Sequence, residues 1–204
     1  MSDRQKPIHV GSTTEEAPHW NSLWNSRIEL RVGDITEVEA DAIVNAANPT
    51  LLGGGGVDGA IHEAAGPDLW RACRVLGGCP TGEARISPGF LLLAQHVIHA
   101  VGPVWQGGDK GERETLAKTW RSALTLAAEH NIDVVAFPAI STGAYGFPLM
   151  EACRIAVHEL RMFLSKNETP WRVILVAFDS ETCNAYEEAL DQEKWTALDD
   201  VEKS

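Results

Sequence analysis

The sequence predicts an α/β fold in which helices lie on both sides of a central sheet. Short apolar runs, typical of buried strands, alternate with longer segments in which apolar residues recur at helical spacing. No internal repeat and no low-complexity linker interrupts this alternation. The 204 residues therefore suit a single domain of ordinary size, which we expect to span residues 27–190.

Five segments have the pattern of strands. The first, Arg27–Val32, alternates polar and apolar residues as a half-buried strand does. The other four are continuous apolar runs bounded by residues that break regular structure: Ala42–Asn45, Val97–Val101, Val134–Phe137 and Val173–Phe178. Runs of this kind are typical of buried strands.

Three segments have the pattern of helices. A short one, Val57–Ala65, follows a run of four glycines and ends at Gly66-Pro67. In Glu112–His130 one face is apolar and carries Leu116, Trp120, Ala123, Leu124 and Ala127. Pro148–Ser165 begins with a proline, which suits the first turn of a helix, and its apolar residues include Cys153, Ile155, Ala156 and Leu160.

The two ends of the chain differ from this core. Residues 1–26 are polar and irregular apart from Trp20 and Trp24, and we interpret them as a partly flexible extension. Residues 191–204 hold five acidic residues against two lysines, which predicts a solvated acidic tail. Because the chain shows no signal-peptide pattern and no apolar run long enough to span a bilayer, we expect a soluble, cytoplasmic protein.

Charge and cysteine usage exclude several function classes. The formal net charge of −12 repels polyanions, which argues against nucleic acid and anionic membranes as partners, although a local site can still bind a small anion. The four cysteines form no C-x-x-C pair and no zinc-type spacing, so we interpret them as buried thiols. His96 and His99 fall on opposite faces of a predicted strand, which argues against a metal pair. We therefore expect neither a metal nor a cofactor.

Two glycine-rich segments follow predicted strands and are candidate walls of a ligand site. The glycines at 53–56 lead directly into a predicted helix, whose first N–H groups are free to bind an anion. The second segment is Ser141–Gly146, and loops of this kind converge at the carboxyl ends of the strands. Because neither segment contains Lys or Arg, a phosphate held there would depend on backbone N–H groups, hydroxyls and the helix dipole.

Three well-known catalytic and nucleotide-binding motifs are missing from the sequence. There is no G-x-x-x-x-G-K-[ST], which argues against P-loop hydrolysis of ATP or GTP. The glycines at 53–56 lack the G-x-G-x-x-G spacing of a dinucleotide-binding turn. Ser141 lacks the preceding glycine of a G-x-S-x-G nucleophile elbow.

Four polar residues beside these loops allow two interpretations each. Asp58 is either a first-turn acid that stabilises the helix dipole or a general base. His62, one helical turn later, is either its partner on the same face or a packed core residue. Asn48 is a turn former or an amide that binds a ribose or carbonyl group. Asp34 is a turn carboxylate or an acceptor for a donor on a base or ribose.

In combination, five segments resemble the macrodomain family, and more narrowly its MacroD-type branch of ADP-ribosyl hydrolases and O-acetyl-ADP-ribose deacetylases. The segments are Gly33–Thr36, Asn45–Asn48, Gly53–His62, Val97–Pro103 and Pro138–Gly146. The resemblance covers about residues 27–190. It implies a three-layer α/β/α fold with a mixed, mainly parallel sheet and a cleft for ADP-ribose.

The resemblance also implies a role for individual residues. Asp34 would accept a hydrogen bond from the adenine amino group beside the Ile35 backbone, and Phe178 would stack near the adenine. The diphosphate would be wrapped by the amides of Ser141, Thr142, Gly143, Ala144, Tyr145 and Gly146. The distal ribose would lie against the other wall, which is formed by Gly54, Gly55, Gly56 and Val57 and supported by His62. Asn48 and Asp58 match the pair associated with catalysis.

These roles imply hydrolysis of an ester at the distal ribose. The substrate would be O-acetyl-ADP-ribose, or a protein that carries mono-ADP-ribose on an acidic side chain. Asp58 would orient or deprotonate the attacking water, a role that a substrate phosphate can share, and Asn48 would hold the ribose hydroxyls. The alternative is a non-catalytic module that reads ADP-ribose on modified proteins. One departure from the family pattern is Glu63, which stands where a basic residue is expected at the rim.

Overall fold

The computed structural model describes residues 26–201, with side chains for residues 26–191. Trp20 and Trp24 lie outside the described residues. In the part of the chain that is described, no helix combines the length and the apolar content that crossing a bilayer requires.

Six strands and five helices form the described structure. Their bounds in chain order are β1 Ile28–Val32, β2 Ala42–Ala46, α1 Gly56–Ala65, α2 Pro67–Leu76, β3 Ala84–Pro88, β4 His96–Ala100, α3 Glu112–Glu129, β5 Val134–Pro138, α4 Leu149–Leu164, β6 Arg172–Ala177 and α5 Ser180–Val201. A short 3₁₀ turn, Ile35–Glu37, lies between β1 and β2. All five predicted strands and all three predicted helices are confirmed, with ends that differ by no more than one residue.

Three elements, α2, β3 and α5, were not predicted from the sequence. Gly66 ends α1 with φ of 78°, and Pro67 directly after it occupies the first turn of α2, so the breaker pair also starts a helix. Strand β3 has the sequence Ala-Arg-Ile-Ser-Pro, which lacks the apolar run of a central strand because it lies at the edge of the sheet. The predicted tail boundary at residue 191 falls within α5.

The sheet is mixed and mainly parallel. Its strand order is β1-β6-β5-β2-β4-β3, and every neighbouring pair is parallel except β3 with β4. Residues Asn45 and His99 are direct partners in the register between β2 and β4. The four predicted apolar runs became the four strands between β1 and β3, which is where both faces of a strand are covered.

Helices cover both faces of the sheet and create two apolar cores. On one face α3, α4 and α5 pack on the sheet, and the Trp120 ring stacks on Phe137 with centroids 4.5 Å apart. On the other face α1, α2 and the 3₁₀ turn form a smaller core that contains Ile43, Ile61 and Leu69. The arrangement confirms the three-layer α/β/α fold.

The cysteines are buried with one exception. Cys73, Cys79 and Cys153 are buried, as predicted. Burial raises the pKa of Cys73 to about 11, with the Asp58 charge contributing, and burial raises that of Cys153 to about 12. The prediction was wrong for Cys183, which is partly exposed. It lies in the first turn of α5, where less of the core covers the helix than at Tyr186 one turn later.

Candidate functional site

A cleft of about 850 Å³ opens where the loops after β1, β2, β5 and β6 meet. These are the carboxyl ends of parallel strands, where open α/β sheets bind ligands, and the volume lies within the range of small-molecule sites. The predicted site residues that line it are Asp34, Ile35, Asn48, Gly54, Gly55, Gly56, Val57, Asp58, Ser141, Thr142, Gly143, Ala144, Tyr145 and Phe178. Segments far apart in sequence therefore form one concave surface, as the two-wall hypothesis requires.

Two predicted ligand-binding residues lie behind the cleft walls rather than on them. The His62 ring packs beneath Gly53, and its Nε2 lies 3.6 Å from Asp58 Oδ1. Gly146 has φ of 64° and donates its N–H to Gly143 O, which closes the turn that shapes the second wall. In this structure each residue therefore supports a wall and does not line the cleft.

Other lining residues were missed by the sequence analysis. They are Gly33, Ala46, Ala47, Ala60, Gly102, Pro138, Ala139, Ile140, Leu149, Val176, Asp179, Glu181 and Thr182. Most are small or apolar residues at or just after a strand end, so the rule that ligands bind at carboxyl ends of strands would have found several. The last three belong to the start of α5 and the residue before it, and that helix was not predicted.

The first wall is the N-terminus of α1. Gly55 is the N-cap and offers no side-chain cap, so the first N–H groups of the helix are available to an anion. Gly54 lies against the polar residues of this wall: a Cβ added there would lie 3.0 Å from Asp58 Oδ2 and 3.4 Å from Asn48 Nδ2. Only glycine therefore lets the backbone at residue 54 lie this close to the side chains of Asp58 and Asn48.

The second wall is the loop between β5 and α4. Phe147 N–H donates to Ser141 O and closes the loop. Within the described residues, the N–H groups of residues 142 to 145 donate no hydrogen bond to the protein, so they are available to an anion. Ser141 has φ of 69°, a strained conformation for a non-glycine residue, and its buried Oγ lies against Gly102, where a Cβ would be only 2.1 Å away.

Acidic residues, and no basic ones, line the cleft. Among the described residues no Lys or Arg lines it, whereas the carboxylates of Asp34, Asp58, Asp179 and Glu181 do. Burial, together with the charge of Asp58, raises the pKa of Tyr145. The described residues also contain no group of His, Cys, Asp or Glu side chains arranged to hold a metal ion. A bound phosphate would therefore be stabilised by backbone amides.

Asp58 lies at the α1 end of the cleft and is 3% exposed. Asn45 Nδ2 donates to its Oδ1 at 2.7 Å, and Asn48 Nδ2 lies 3.4 Å from its Oδ2. With His62 Nε2 also nearby, the carboxylate is surrounded by nitrogen atoms on the protein side. A carboxylate oriented in this way can accept a proton from a water in the cleft.

Asn48 and Asp34 both shape the turns they belong to. Asn48 Oδ1 accepts hydrogen bonds from the N–H and the hydroxyl of Thr50, and its Nδ2 donates to Gly53 O. Asp34 Oδ1 accepts two bonds of 2.8 Å from Thr36 and caps the 3₁₀ turn. The turn-forming interpretation holds for both residues, and both residues also line the cleft.

Comparison with known proteins gives the family. The Macro domain family model matches residues 44–156. A Macro domain-containing protein of Methanosarcina mazei is 57% identical over 166 residues, which cover 81% of this chain and 89% of that protein. The chain belongs to the macrodomain family. The macrodomain resemblance of the five motifs is thereby confirmed.

Two further relatives of this macrodomain have informative descriptions. An O-acetyl-ADP-ribose deacetylase of Klebsiella pneumoniae is 53% identical over 166 residues, which cover 79% of this chain and 95% of the deacetylase. A macrodomain of Trypanosoma brucei, solved in complex with ADP-ribose, is 42% identical with a TM-score of 0.77. That match covers 81% of this macrodomain and 69% of the Trypanosoma chain.

Proposed function

We propose that this macrodomain binds ADP-ribose in the cleft and hydrolyses an ester at the distal ribose. The observation that carries the proposal is the position of Asp58: a buried carboxylate, contacted by two asparagine amides, at one end of a cleft with unpaired amides in its wall. The substrates would be O-acetyl-ADP-ribose, proteins with mono-ADP-ribose on acidic side chains, or both. This is the activity that the resemblance to the MacroD-type branch implies.

Binding of ADP-ribose is supported by the distribution of donors along the cleft. The diphosphate would accept hydrogen bonds from the unpaired amides of residues 142 to 145 and from the N-terminus of α1. The adenine would lie beside Asp34 and Phe178, and the latter ring is 81% exposed after β6 and free to stack. The Trypanosoma brucei relative in complex with ADP-ribose has the same fold.

Hydrolysis would begin with a water held between Asp58 and the acyl carbon of the ester. The water oxygen attacks that carbon while its proton passes to the Asp58 carboxylate, or to a substrate phosphate that shares this role. The bond between the acyl carbon and the ribose oxygen then breaks, and the ribose oxygen takes the proton. The products are ADP-ribose and the free carboxylic acid, and Asn48 would keep the ribose in place.

Asp58→Ala separates hydrolysis from binding. We expect turnover of both esters to fall about 100-fold, while the Kd for ADP-ribose measured by calorimetry changes by no more than about threefold. Asp68→Ala is the matched control, since Asp68 is an exposed acid in the first turn of α2 that pairs with Arg71. Turnover by Asp58→Ala near the wild-type rate would contradict the proposed role.

The wild-type protein itself distinguishes the enzyme from the reader. We expect it to release acetate from O-acetyl-ADP-ribose or to free an acid-linked mono-ADP-ribosylated protein, with a catalytic excess of product over enzyme. Tight binding of ADP-ribose without hydrolysis of either ester would show a non-catalytic reader instead.

A further inference from the structure

A polar cluster lies beneath Asp58 and does not reach the cleft. Asn45 and His99 are buried on the strands β2 and β4, on the face covered by α1 and α2. Asn45 Nδ2 contacts both Asp58 Oδ1 at 2.7 Å and His99 Nδ1 at 3.2 Å. On the other side of the ring, His99 Nε2 lies 2.9 Å from Ser87 Oγ on β3. The contacts run without a break from the edge strand to the candidate catalytic carboxylate.

The chemistry of these groups allows one arrangement of protons. A carboxylate only accepts hydrogen bonds, so the Asn45 atom that faces Asp58 must be the amide nitrogen. Its second N–H then points to His99 Nδ1, which must accept and therefore carries no proton. The imidazole proton is on Nε2, where Ser87 Oγ accepts it, and the Ser87 hydroxyl in turn reaches Pro88 O at 3.2 Å.

The surroundings of the ring keep it neutral. Burial, together with the neighbouring His62, lowers the pKa of His99 to about 4. Cys73 Sγ is 3.5 Å from Nε2, and burial raises the pKa of this thiol to about 11, so it adds no charge at neutral pH. Among the described residues, the charged groups beside this cluster are Asp58, which Asn45 contacts, and Arg85, which lies opposite His99 in the register between β3 and β4 and pairs with Glu83. A protonated ring would remove the acceptor that Asn45 needs, and the Asn45 amide would lose its fixed orientation.

We propose that Asn45 and His99 are positioning residues for catalysis: the His99 Nδ1 lone pair fixes the Asn45 amide, and that amide holds the Asp58 carboxylate in the orientation that activates water. Ser87 fixes the tautomer from the other side. The inference rests on the proposed ester hydrolysis. Neither Asn45 nor His99 is among the residues that line the cleft, so they act through Asp58 and not on the substrate.

The first test compares kcat with binding. In Asn45→Ala, Asp58 Oδ1 loses its short hydrogen bond, and we expect kcat for ester hydrolysis to fall about 30-fold while KM and the Kd for ADP-ribose stay within about threefold. In His99→Leu the amide is present but free to turn, so kcat should fall about tenfold. His99→Asn can place an oxygen near the Nδ1 position and should recover kcat to within about threefold of wild type.

A double variant tests whether the two residues act in series. Because His99 acts through Asn45, the Asn45→Ala/His99→Leu double variant should be no slower than Asn45→Ala alone. If the two losses of kcat multiply instead, the proposed coupling is wrong. Val97→Ala is the packing control: it removes buried volume from the same face of β4 and should lower Tm with kcat unchanged.

The imidazole tautomer is a readout that does not depend on activity or on a variant that folds. Nitrogen NMR of the wild-type protein should show His99 protonated at Nε2 and unprotonated at Nδ1, and a proton on Nδ1 would overturn the inference. If wild type hydrolyses the esters and His99→Leu keeps its kcat, the inference alone fails. If wild type binds ADP-ribose but hydrolyses neither ester, the proposed function fails and the inference fails with it.

Discussion

The two walls of the cleft differ in the groups that they present to a ligand: side chains on one wall and backbone amides on the other. The α1 wall presents side chains: the Asp58 carboxylate in the first turn of the helix and the Asn48 amide in the loop that precedes it. The second wall presents the backbone N–H groups of residues 142 to 145, which donate no hydrogen bond to any group among the described residues. Side chains can be tuned for proton transfer, whereas amides supply donors without a titratable group. In the proposed function, the first wall therefore carries catalysis and the second binds the anion.

The walls also differ in what supports them. Beneath Asp58 lie the hydrogen-bonded side chains of Asn45, His99 and Ser87, and this arrangement requires a neutral His99 ring. The second wall is supported by the close packing of Gly102 against Ser141, and the backbone N–H of Trp105 donates to Tyr145 O. A change of pH should therefore disturb the first wall, and a change of side-chain volume the second.

The largest expected effect is the dependence of stability on the charge state of His99. Burial and the neighbouring His62 lower the pKa of His99 from 6.5 to about 4 in the folded protein. Between these values the unfolded chain binds a proton that the folded protein does not. This residue therefore makes the free energy of unfolding fall as pH falls, by about 3 kcal/mol over the whole interval.

Chemical denaturation of wild type and His99→Leu at pH 7 and at pH 4.5 measures this effect. The stability advantage of wild type over the variant should shrink as pH falls, since the variant has no imidazole to protonate. Val97→Ala changes no titratable group and should be destabilised equally at both pH values. If the advantage of wild type over His99→Leu is the same at both pH values, protonation of this ring does not control the free energy of unfolding, and the prediction is wrong.

Gly102→Ala is the corresponding test of the second wall. The new Cβ would lie 2.1 Å from Ser141 Oγ and 2.8 Å from Ile140 Cγ2, so the loop must move. Displaced amides would lose the hydrogen bonds to the diphosphate that the proposed function gives them, and we expect the Kd for ADP-ribose to rise about 100-fold in calorimetry. Because Asp58 is untouched, kcat at saturating substrate should change much less than the Kd.

A second substitution at the contact residue sharpens this result. Ser141→Gly removes the clashing side chain, and glycine adopts φ of 69° without strain. The Gly102→Ala/Ser141→Gly double variant should therefore recover part of the lost affinity. No recovery would mean that Gly102 acts by something other than its contact with Ser141.

The two walls also differ in how much the sequence could predict. A glycine run in the first loop and a Gly/Ser/Thr segment in the second, each after an apolar strand, identified both loops, since the pattern of strand, loop and helix is local. The pairing of Asn45 with His99 could not be predicted from the sequence, because it depends on the register between β2 and β4, and these strands lie far apart in sequence. A polar residue within an apolar run was the only local signal of either residue.

The same difference between local pattern and tertiary packing explains why the sequence did not predict which residues line the cleft at two places. His62 shares a helical face with Asp58, and the spacing predicted that correctly. Which side of that face meets the cleft depends on the angle at which α1 packs on the sheet, and the structure buries the ring beneath Gly53. Similarly, Asp179 and Glu181 enter the cleft because α5 begins directly after β6, and its polar sequence gave no helical signal.

The smallest of these effects concerns Asp34, where a side chain and a backbone turn act together at the end of the cleft that the proposed function gives to the adenine. Asp34 Oδ1 is occupied by two hydrogen bonds from Thr36, and an Asp34→Asn variant can retain both through the oxygen of its amide. The substitution then changes the other oxygen into a donor. Against the adenine amino group this exchanges attraction for repulsion, and we expect the Kd for ADP-ribose to rise about tenfold.

The same substitution should invert the preference between bases. Hypoxanthine presents a carbonyl oxygen where adenine has its amino group, so Asp34→Asn should bind the inosine analogue of ADP-ribose better than wild type does. Calorimetry with both ligands on both proteins gives a double-mutant cycle. In this cycle, any effect of the substitution on the turn itself changes the binding free energy of both ligands equally and cancels. If Asp34→Asn weakens the binding of both ligands equally, Asp34 acts only through the Thr36 turn and does not select the base.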